Sequence, residues 1–234
     1  MSQIPIYCIN LDQRKDRWKK CKDQFGKQKI NVKRFSAIKN TEYPYLGVAQ
    51  SHKKIIEISF QKNHSLVCVL EDDVEISNNF IEKINKIISS TPKDWHIIYL
   101  WGGINRNATI KKINKSVSRV DNITGGYGII YSKKCFGNFI QAVEDNGEFK
   151  GFKTFDAWLA YDYQKKYPCY VSNSLLVKHL PGYSDIEKKE RNTTRKHIIR
   201  FWLYTHGFWI IMKWCWIMGD ILNLSDRKNA VRRK

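Results

Sequence analysis

The sequence lacks several patterns that would indicate particular classes of protein. Its six cysteines include no C-x-x-C pair, which argues against a zinc site of that kind. The amino-terminal residues have neither the basic region nor the long apolar region of a secretory signal. We therefore expect a reducing, cytosol-facing compartment, in which the cysteines are free thiols.

Acidic residues are scarce relative to basic ones. The 234 residues include 22 acidic and 41 basic side chains, which gives a formal net charge of +19. Such an excess indicates an acidic partner, such as nucleic acid, anionic lipid or a nucleotide-linked substrate. The hydrophobic content of 42% is ordinary for a globular protein, so disorder is not expected.

The few acids include one cluster, in the segment SLVCVLEDDVEI from Ser65 to Ile76. A short apolar run, typical of a buried strand, leads directly into Glu71, Asp72 and Asp73. Ligands of open α/β sheets bind at the carboxyl ends of strands. Three adjacent carboxylates repel one another unless a positive group joins them, and magnesium or manganese is the simplest candidate. A solvated acidic turn is the alternative.

Apolar periodicity predicts strands and helices that alternate through the first half of the chain. This order favours a mostly parallel sheet covered by helices, and so an α/β fold. Strands are predicted over 4–11, 31–35, 66–70, 95–100, 125–131 and 175–177. Helices are predicted over 47–61, 79–89, 133–143 and 155–166, with a further one after an N-cap at Asp12. The polar, basic segment 106–115 is predicted to be a loop.

The carboxyl-terminal region differs in composition. We divide the chain into a domain over 1–190 and a basic aromatic tail over 191–234. Trp202, Trp209 and Trp216 are seven residues apart, so they share one face of an amphipathic helix. Residues 201–218 contain a lysine and are short for a membrane span, which needs about 20 apolar residues. The pattern favours a helix lying in the interface of an anionic membrane, with a core or dimer-forming helix as the alternative.

Other candidate functional residues are spread along the chain. Asn10, Arg14 and Arg17 follow the first predicted strand, where they could hold a base, a ribose or phosphates, or simply begin a helix. His52, in LGVAQSH, is either a ligand contact or a structural group. Asp156, in TFDAWLAYD, is a catalytic candidate or a helix cap. His179 follows a strand-like run and can complete a metal site with distant acids.

A glycine pair precedes another predicted strand. Gly125, Gly126 and Tyr127 lie in TGGYGIIYSKK, where glycine allows the backbone to approach a ligand closely. The same residues suit a tight entry into the strand.

The order of these motifs resembles that of glycosyltransferase family 25, which contains bacterial lipooligosaccharide glycosyltransferases and collagen galactosyltransferases. The similar features are INLDQRKDR, GVAQSH, VLEDD, DWHIIYL, TGGYGIIYSKK, FDAWL and GYSDIE. They extend from about Ile4 to Glu187. One difference lies at Val48, Ala49 and Gln50, where the family usually has a cysteine and a leucine.

The resemblance implies a Rossmann-like nucleotide-diphospho-sugar transferase fold of the GT-A type. It implies transfer of a sugar, often galactose, from a UDP-sugar to a hydroxyl of a lipooligosaccharide or other glycan acceptor, with inversion. It also implies a divalent cation, Mn²⁺ or Mg²⁺, held by Glu71, Asp73 and His179. Asp156 would be the catalytic base. Donor contacts would come from this set: Asn10, Arg14, Arg17, His52, Asp72, Gly125, Gly126 and Tyr127.

The resemblance also gives the tail a function. Acceptors in lipooligosaccharide assembly are lipid-linked, so a basic aromatic helix would hold the enzyme at the cytoplasmic face of the membrane. The alternative function is a basic nucleic-acid-binding protein without activity. The aromatic residues concentrate in one apolar helix rather than among lysines, and bare acids would repel phosphate, so nucleic acid is not the expected partner.

Overall fold

A computed structural model describes residues 4–105, 107–144 and 152–191. These residues form a mixed α/β fold around one large sheet. The strands are, in chain order, β1 (Ile6–Asn10), β2 (Val32–Ser36), β3 (Leu66–Glu71), β4 (Val74–Ile76), β5 (Ile97–Tyr99), β6 (Gly103–Ile104), β7 (Ile110–Lys112), β8 (Val117–Val120), β9 (Ile123–Thr124), β10 (Gly128–Ser132), β11 (Cys169–Ser172), β12 (Val177–His179), β13 (Gly182–Ser184) and β14 (Lys189–Arg191).

The helices of the described residues cover the sheet. They are α1 (Lys15–Lys27), α2 (Pro44–Gln61), α3 (Phe80–Ser90), α4 (Lys133–Glu144), α5 (Phe155–Trp158) and α6 (Gln164–Lys166), with a π-helical segment at Leu159–Tyr163. The predicted N-cap at Asp12 is wrong, because α1 begins at Lys15. The Asp12 carboxylate instead accepts hydrogen bonds from Arg34 and Ser36 on β2.

The main sheet is mixed, so the prediction of a mostly parallel sheet is wrong. Its order is β2-β1-β3-β10-β5-β11-β8-β7, and β1 runs parallel to β2 and β3. However, β10 is antiparallel to both β3 and β5, and β8 is antiparallel to β11 and β7. The alternation of helices and strands that indicates parallel pairing holds only as far as β5, because the chain then enters a series of short strands.

Three strands of this sheet, β7, β8 and β11, were not predicted. The segment 106–115, predicted to be a loop, contains β7 at the sheet edge. Lys111 and Lys112 are exposed there, so the composition of the strand resembles that of a loop. The strands β8 and β11 are mostly or fully buried, but each has only four residues, too few for periodicity to distinguish it from its surroundings.

The core lies on both faces of the central strands. In β3, Val67, Cys68, Val69 and Leu70 are fully buried, and all five residues of β10 are buried beside them. The helices α2 and α4 pack against each other. Burial of each large aliphatic side chain stabilises the fold by about 1.5–3 kcal/mol. A rigid sheet centre therefore fixes the position at which β3 ends.

The tail predicted over 191–234 lies outside the described residues, apart from the backbone of its first residue. In the parts of the chain that the structure does describe, no helix combines the length and the apolar character needed to span a membrane.

Candidate functional site

The three acids lie at the edge where the parallel strands end. Glu71 is the last residue of β3, while Asp72 and Asp73 form the turn into β4. Because β1 and β2 run parallel to β3, Asn10 and Ser36 end their strands at the same edge. The position expected from the sequence for the acids is therefore the observed one, at the carboxyl ends of strands where α/β proteins bind ligands.

The Asp72 carboxylate is buried and held on both oxygens. Asn10 Nδ2 donates a hydrogen bond to Oδ2 at 2.6 Å, and Arg17 Nη1 donates to Oδ1 at 2.8 Å. Burial raises the pKa of Asp72, whereas Arg17 and Asn10 act in the opposite direction by stabilising the charged form. The carboxylate is thus oriented by two protein donors before any ligand arrives.

Asp73 joins residues from distant parts of the chain. Its Oδ2 lies 3.2 Å from Arg17 Nη1 and 3.2 Å from Nε2 of His179, which is 6% exposed. His179 arrives there because β12 pairs with β4 so that His179 lies opposite Val74. The Leu180 amide also donates to the Asp73 carbonyl at 2.7 Å. Two of the three predicted metal ligands are therefore in direct contact.

The two arginines of the INLDQRKDR motif also hold a hairpin formed by β13 and β14. Arg14 Nη1 lies 2.5 Å from Asp185 Oδ2, and Arg17 Nη2 donates to the Tyr183 carbonyl at 2.6 Å. These bonds fix the hairpin against α1 beside the acids. The arginines therefore connect the site to the hairpin.

A cavity of about 390 Å³ opens beside the acids. Its walls come from the ends of β1 and β2, from the start of α2, from the acid turn and from the hairpin. The lining residues are Ile9, Leu11, Gln13, Arg17, Ala37, Ile38, Lys39, Asn40, Thr41, Pro44, Val48, Ser51, Glu71, Asp72, Asp73, Ser184, Asp185, Ile186 and Lys188. The cavity lining thus combines apolar side chains with carboxylates and cationic groups.

The sequence reasoning missed one wall of this cavity. Residues 37–43 connect β2 to α2, and Ala37, Ile38, Lys39 and Asn40 from this connection face the cavity. The available signal was their position directly after a predicted parallel strand, next to the strand that carries Asn10. Loops at the carboxyl ends of parallel strands form ligand sites irrespective of their composition.

The predicted glycine pair lies on the other side of Glu71. A Cβ atom on Gly126 would lie 2.9 Å from Phe155 Cζ and 3.0 Å from Glu71 Oε1, so only glycine fits there without a shift of its neighbours. Gly125 has a φ of +112°, which favours glycine. These residues bring the chain close to the Glu71 carboxylate, and they do not line the cavity.

Tyr127 is part of an aromatic group behind Asp73. Its ring centroid lies 4.5 Å from that of His179 and 5.3 Å from that of Trp101. Trp101 and Trp158 are 4% and 2% exposed, so both belong to the core. Tyr127 instead packs against the imidazole that contacts Asp73.

His52 and Asn10 also lie behind the site. His52 is fully buried, its Nδ1 lies 2.9 Å from the Tyr131 hydroxyl, and its ring packs at 4.8 Å from that of Phe155. Burial lowers the pKa of His52 to about 3, so the imidazole is neutral at pH 7. Asn10 is 1% exposed. Neither residue lines the cavity, so the geometry gives them structural rather than donor contacts.

Asp156 is the second residue of α5, which begins beside the glycine pair. The hydroxyl of Thr154 donates to its carboxylate, which also accepts from the Ala157 amide at 3.0 Å. Thr154 is the N-cap of this helix, and its hydroxyl accepts from the same amide. Asp156 thus contributes to the helix start and is half-buried, while its catalytic role stays a prediction.

A divalent cation at this site would need several ligand atoms that point to one position. Within residues 4–105, 107–144 and 152–191, no three side chains of the types His, Cys, Asp and Glu form a group able to hold a metal ion. Asp73 and His179 nevertheless provide an oxygen and a nitrogen that converge at one point. Magnesium commonly uses only one or two protein ligands and completes its coordination with water and substrate phosphates. The Asp73 carboxylate fits a cation of that kind, and the neighbouring imidazole of His179 could serve as one further ligand.

The fold of this chain is similar to those of several solved structures. The fold is similar to a crystal structure of a glycosyltransferase involved in the glycosylation of the major capsid of PBCV-1. The TM-score is 0.55 at 12% identity, over 79% of this chain and 96% of that one. This similarity shows the fold alone, a mixed α/β fold with a large central sheet.

One family model matches a segment of the chain. Residues 42–125 match the family model of glycosyltransferase family 25 (LPS biosynthesis protein). This segment runs from just before α2 to Gly125 and includes all three acids, so the predicted resemblance is confirmed there. No curated protein matches the chain. Family match and fold together support a transferase that moves a sugar.

Two other solved structures are similar at lower scores. A mannose-1-phosphate geranyltransferase from Thermus thermophilus gives a TM-score of 0.42 at 7% identity, over 74% of both chains. The protein A197 from STIV gives 0.43 at 12% identity, over 82% of this chain and 95% of that one.

Proposed function

We propose that this protein transfers a sugar, with galactose as the first candidate, from a UDP-sugar to a hydroxyl of a lipooligosaccharide or other glycan acceptor. The observation that carries the proposal is the cavity of about 390 Å³ at the carboxyl ends of β1, β2 and β3, with Glu71, Asp72 and Asp73 on one wall. Its volume lies within the range of small-molecule sites, about 300–1,000 Å³.

The chemistry of the cavity walls supports a nucleotide-sugar donor. Ile9, Ala37, Ile38 and Val48 offer an apolar surface for a nucleobase, whose faces are apolar. Asp72, already oriented by two donors, is suited to accept hydrogen bonds from a ribose or sugar hydroxyl. The donor then lies between the β2–α2 connection and the hairpin.

The diphosphate requires positive groups on the acidic side of the cavity. Arg17, Lys39 and Lys188 line the cavity and carry such charges. Asp73 and His179 would hold the divalent cation, Mn²⁺ or Mg²⁺, with Glu71 as the further candidate ligand. When bound, the cation would act as a Lewis acid that stabilises the charge on the departing diphosphate.

The acceptor hydroxyl needs a base if the sugar is transferred with inversion in a single displacement. Asp156 is our candidate because α5 begins beside Gly126, which itself contacts Glu71. In this proposal the acceptor hydroxyl binds near Asp156. Asp156 would accept its proton as the new glycosidic bond forms.

A membrane-bound acceptor gives the basic aromatic tail over 191–234 a role. We propose that the tail holds the enzyme on the cytoplasmic face of an anionic membrane through its tryptophans and arginines. Removal of residues 201–234 should release the protein from vesicles that contain phosphatidylglycerol. Unchanged co-sedimentation of the truncated protein with these vesicles would contradict this role.

A panel of UDP-sugars tests the main proposal. The full chain is incubated with each sugar nucleotide and a glycan acceptor, with Mn²⁺ or with a chelator, and UDP release is measured. We expect release to be fastest with UDP-galactose and to stop with the chelator. If no sugar nucleotide is bound or consumed while random DNA is bound in a salt-sensitive manner, the alternative of a nucleic-acid-binding protein is correct instead.

A further inference from the structure

One guanidinium group occupies the space between two of the acids. Arg17 Nη1 lies 2.8 Å from Asp72 Oδ1 and 3.2 Å from Asp73 Oδ2, so a single nitrogen bridges the carboxylates. The three side chains are 15%, 9% and 17% exposed. Because they are largely shielded from solvent, salt screens this interaction less than it would screen a surface pair.

Arg17 contacts the same Asp73 oxygen that faces His179, a predicted metal ligand. Oδ2 of Asp73 lies 3.2 Å from both Arg17 Nη1 and His179 Nε2. A cation held by Asp73 and His179 would therefore lie within a few ångströms of the guanidinium. Two positive groups at such a distance repel each other strongly in a partly buried site. Arg17 and a cation held at Oδ2 would therefore compete for this oxygen.

Arg17 has other partners, so it can leave Asp73 without losing all of its hydrogen bonds. Its Nη2 donates to the Tyr183 carbonyl at 2.6 Å, and Nη1 retains the shorter contact with Asp72. A guanidinium has five N–H groups in a rigid plane, which allows it to keep two partners while a third is exchanged for a phosphate oxygen. Arg17 also lines the cavity, where a diphosphate would lie.

We propose that Arg17 competes with the divalent cation for Asp73, so that the cation binds tightly only after the guanidinium has turned from Asp73 towards the diphosphate of the donor. This inference rests on the proposed function, since it assumes a donor with a diphosphate. Because Arg17 leaves Asp73 when the donor binds, the cation and the donor bind cooperatively. The inference also assigns Arg17 a positioning role that is distinct from the role of Arg14, which contacts Asp16 and Asp185 instead.

Binding of Mn²⁺ alone, measured by electron paramagnetic resonance at pH 7.5, tests the proposal. Arg17→Gln removes the competing charge, so the affinity of the full chain for Mn²⁺ should rise about tenfold or more. Arg17→Lys retains the charge and should stay within about threefold of the wild type. Arg14→Gln is the matched control, because it removes a nearby arginine, directly before the same helix, whose side chain does not contact Asp72 or Asp73. It should change the affinity by less than about threefold.

The second arm adds UDP. In the wild type, saturating UDP should strengthen Mn²⁺ binding, and Arg17→Gln should reduce this enhancement about tenfold or more. If Arg17→Gln binds Mn²⁺ alone no more tightly than the wild type, the proposal is overturned. If it does bind Mn²⁺ more tightly but no variant binds UDP, the competition at Asp73 stands and the proposed transferase function fails.

A measurement on the folded wild type covers the case in which Arg17→Gln does not fold. Side-chain NMR signals of arginine are recorded during a Mg²⁺ titration, and Arg17 is assigned with the Arg17→Lys variant. The signal of Arg17 should shift on addition of Mg²⁺ while that of Arg14 stays in place. An unchanged Arg17 signal at saturating Mg²⁺ would overturn the proposal.

Discussion

Asn10 Nδ2 donates a hydrogen bond of 2.6 Å to Oδ2 of Asp72, although the residues are 62 positions apart in the chain. Arg34 Nε in turn donates to Asn10 Oδ1 at 2.8 Å, which fixes the orientation of the amide. Asn10 is 1% exposed and Asp72 is 9% exposed. Asn10 therefore lies behind the acid and orients it, a role that the sequence motif alone did not distinguish from direct contact with a donor.

Replacement of Asn10 tests this orientation. Asn10→Ala leaves one oxygen of a buried carboxylate without its donor, and hydrogen bonds to charged groups contribute about 1.5–3 kcal/mol. We expect the free energy of unfolding, measured with urea, to fall by about 2–3 kcal/mol. Asn31→Ala, at an exposed position, should change it by less than about 0.5 kcal/mol. Equal effects of the two substitutions would show that the Asn10–Asp72 hydrogen bond makes no net contribution to the free energy of unfolding.

The close packing of Gly126 against Phe155 and Glu71 gives a second prediction. In Gly126→Ala the new methyl group meets Phe155 and the Glu71 carboxylate at 2.9 and 3.0 Å, so one of them must move. We expect a loss of stability of about 1–3 kcal/mol and a drop in UDP release from UDP-galactose.

Gly137→Ala is the control for this prediction. It lies in α4, where a Cβ atom meets nothing within 4 Å, and it should stabilise the protein by about 0.5–1 kcal/mol because alanine favours a helix. Thermal unfolding of both variants measures the difference. A Gly126→Ala variant as stable and as active as Gly137→Ala would mean that the site tolerates a displaced Glu71.

The cavity gives a third prediction. Val48 on α2 lines the cavity, so Val48→Trp should fill part of the space assigned to the nucleobase. We expect calorimetry to show an affinity for UDP lowered at least about tenfold. Lys54→Trp places the same side chain on an exposed position of α2 and should bind UDP like the wild type. Unchanged binding by the Val48 variant would place the nucleotide elsewhere.

The buried imidazole of His52 gives a fourth prediction, on pH dependence. Its pKa is about 3 in the folded protein and 6.5 in an unfolded chain, so acidification adds a proton to the unfolded state first. The free energy of unfolding should therefore fall as the pH drops from about 6.5 towards 3, by about 2 kcal/mol between pH 7 and pH 5 from this group alone.

The variant His52→Gln isolates this contribution. Glutamine keeps a hydrogen-bonding group near the Tyr131 hydroxyl but does not titrate, so its stability should depend less on pH over this range. Urea unfolding of both proteins at pH 7 and pH 5 gives the two slopes. Identical slopes would mean that His52 does not remain neutral in the folded protein.

The elements that the sequence predicted well are those with a strong local signal. The strand that ends at Glu71 is an uninterrupted apolar run, and α3 has a regular apolar stripe through Phe80, Ile84 and Ile87. Both were predicted to within a residue or two. The pairing of β10 with β3 was not predicted, because strand direction depends on contacts between residues far apart in the chain.

The candidate site was predictable in part for the same reason. The acids could be placed at a strand end from the apolar run alone. In contrast, the contact of Asp73 with His179 depends on the pairing of β4 with β12, and the bridge from Arg17 depends on how α1 packs beside the acid turn. His52, predicted to contact a donor, is buried against Tyr131 and Phe155, which only the packing of α2 on the sheet reveals.

The central claim is that Asp73 acts in sugar transfer from a nucleotide donor, and Asp73→Asn tests it most directly. The substitution removes one negative charge and little volume. The rate of UDP release from UDP-galactose, measured as kcat/KM with Mn²⁺ present, should fall about a hundredfold or more relative to the wild type. Asp23→Asn, an exposed position on α1, should retain the wild-type rate. Transfer by the Asp73→Asn variant at the wild-type rate would contradict the account.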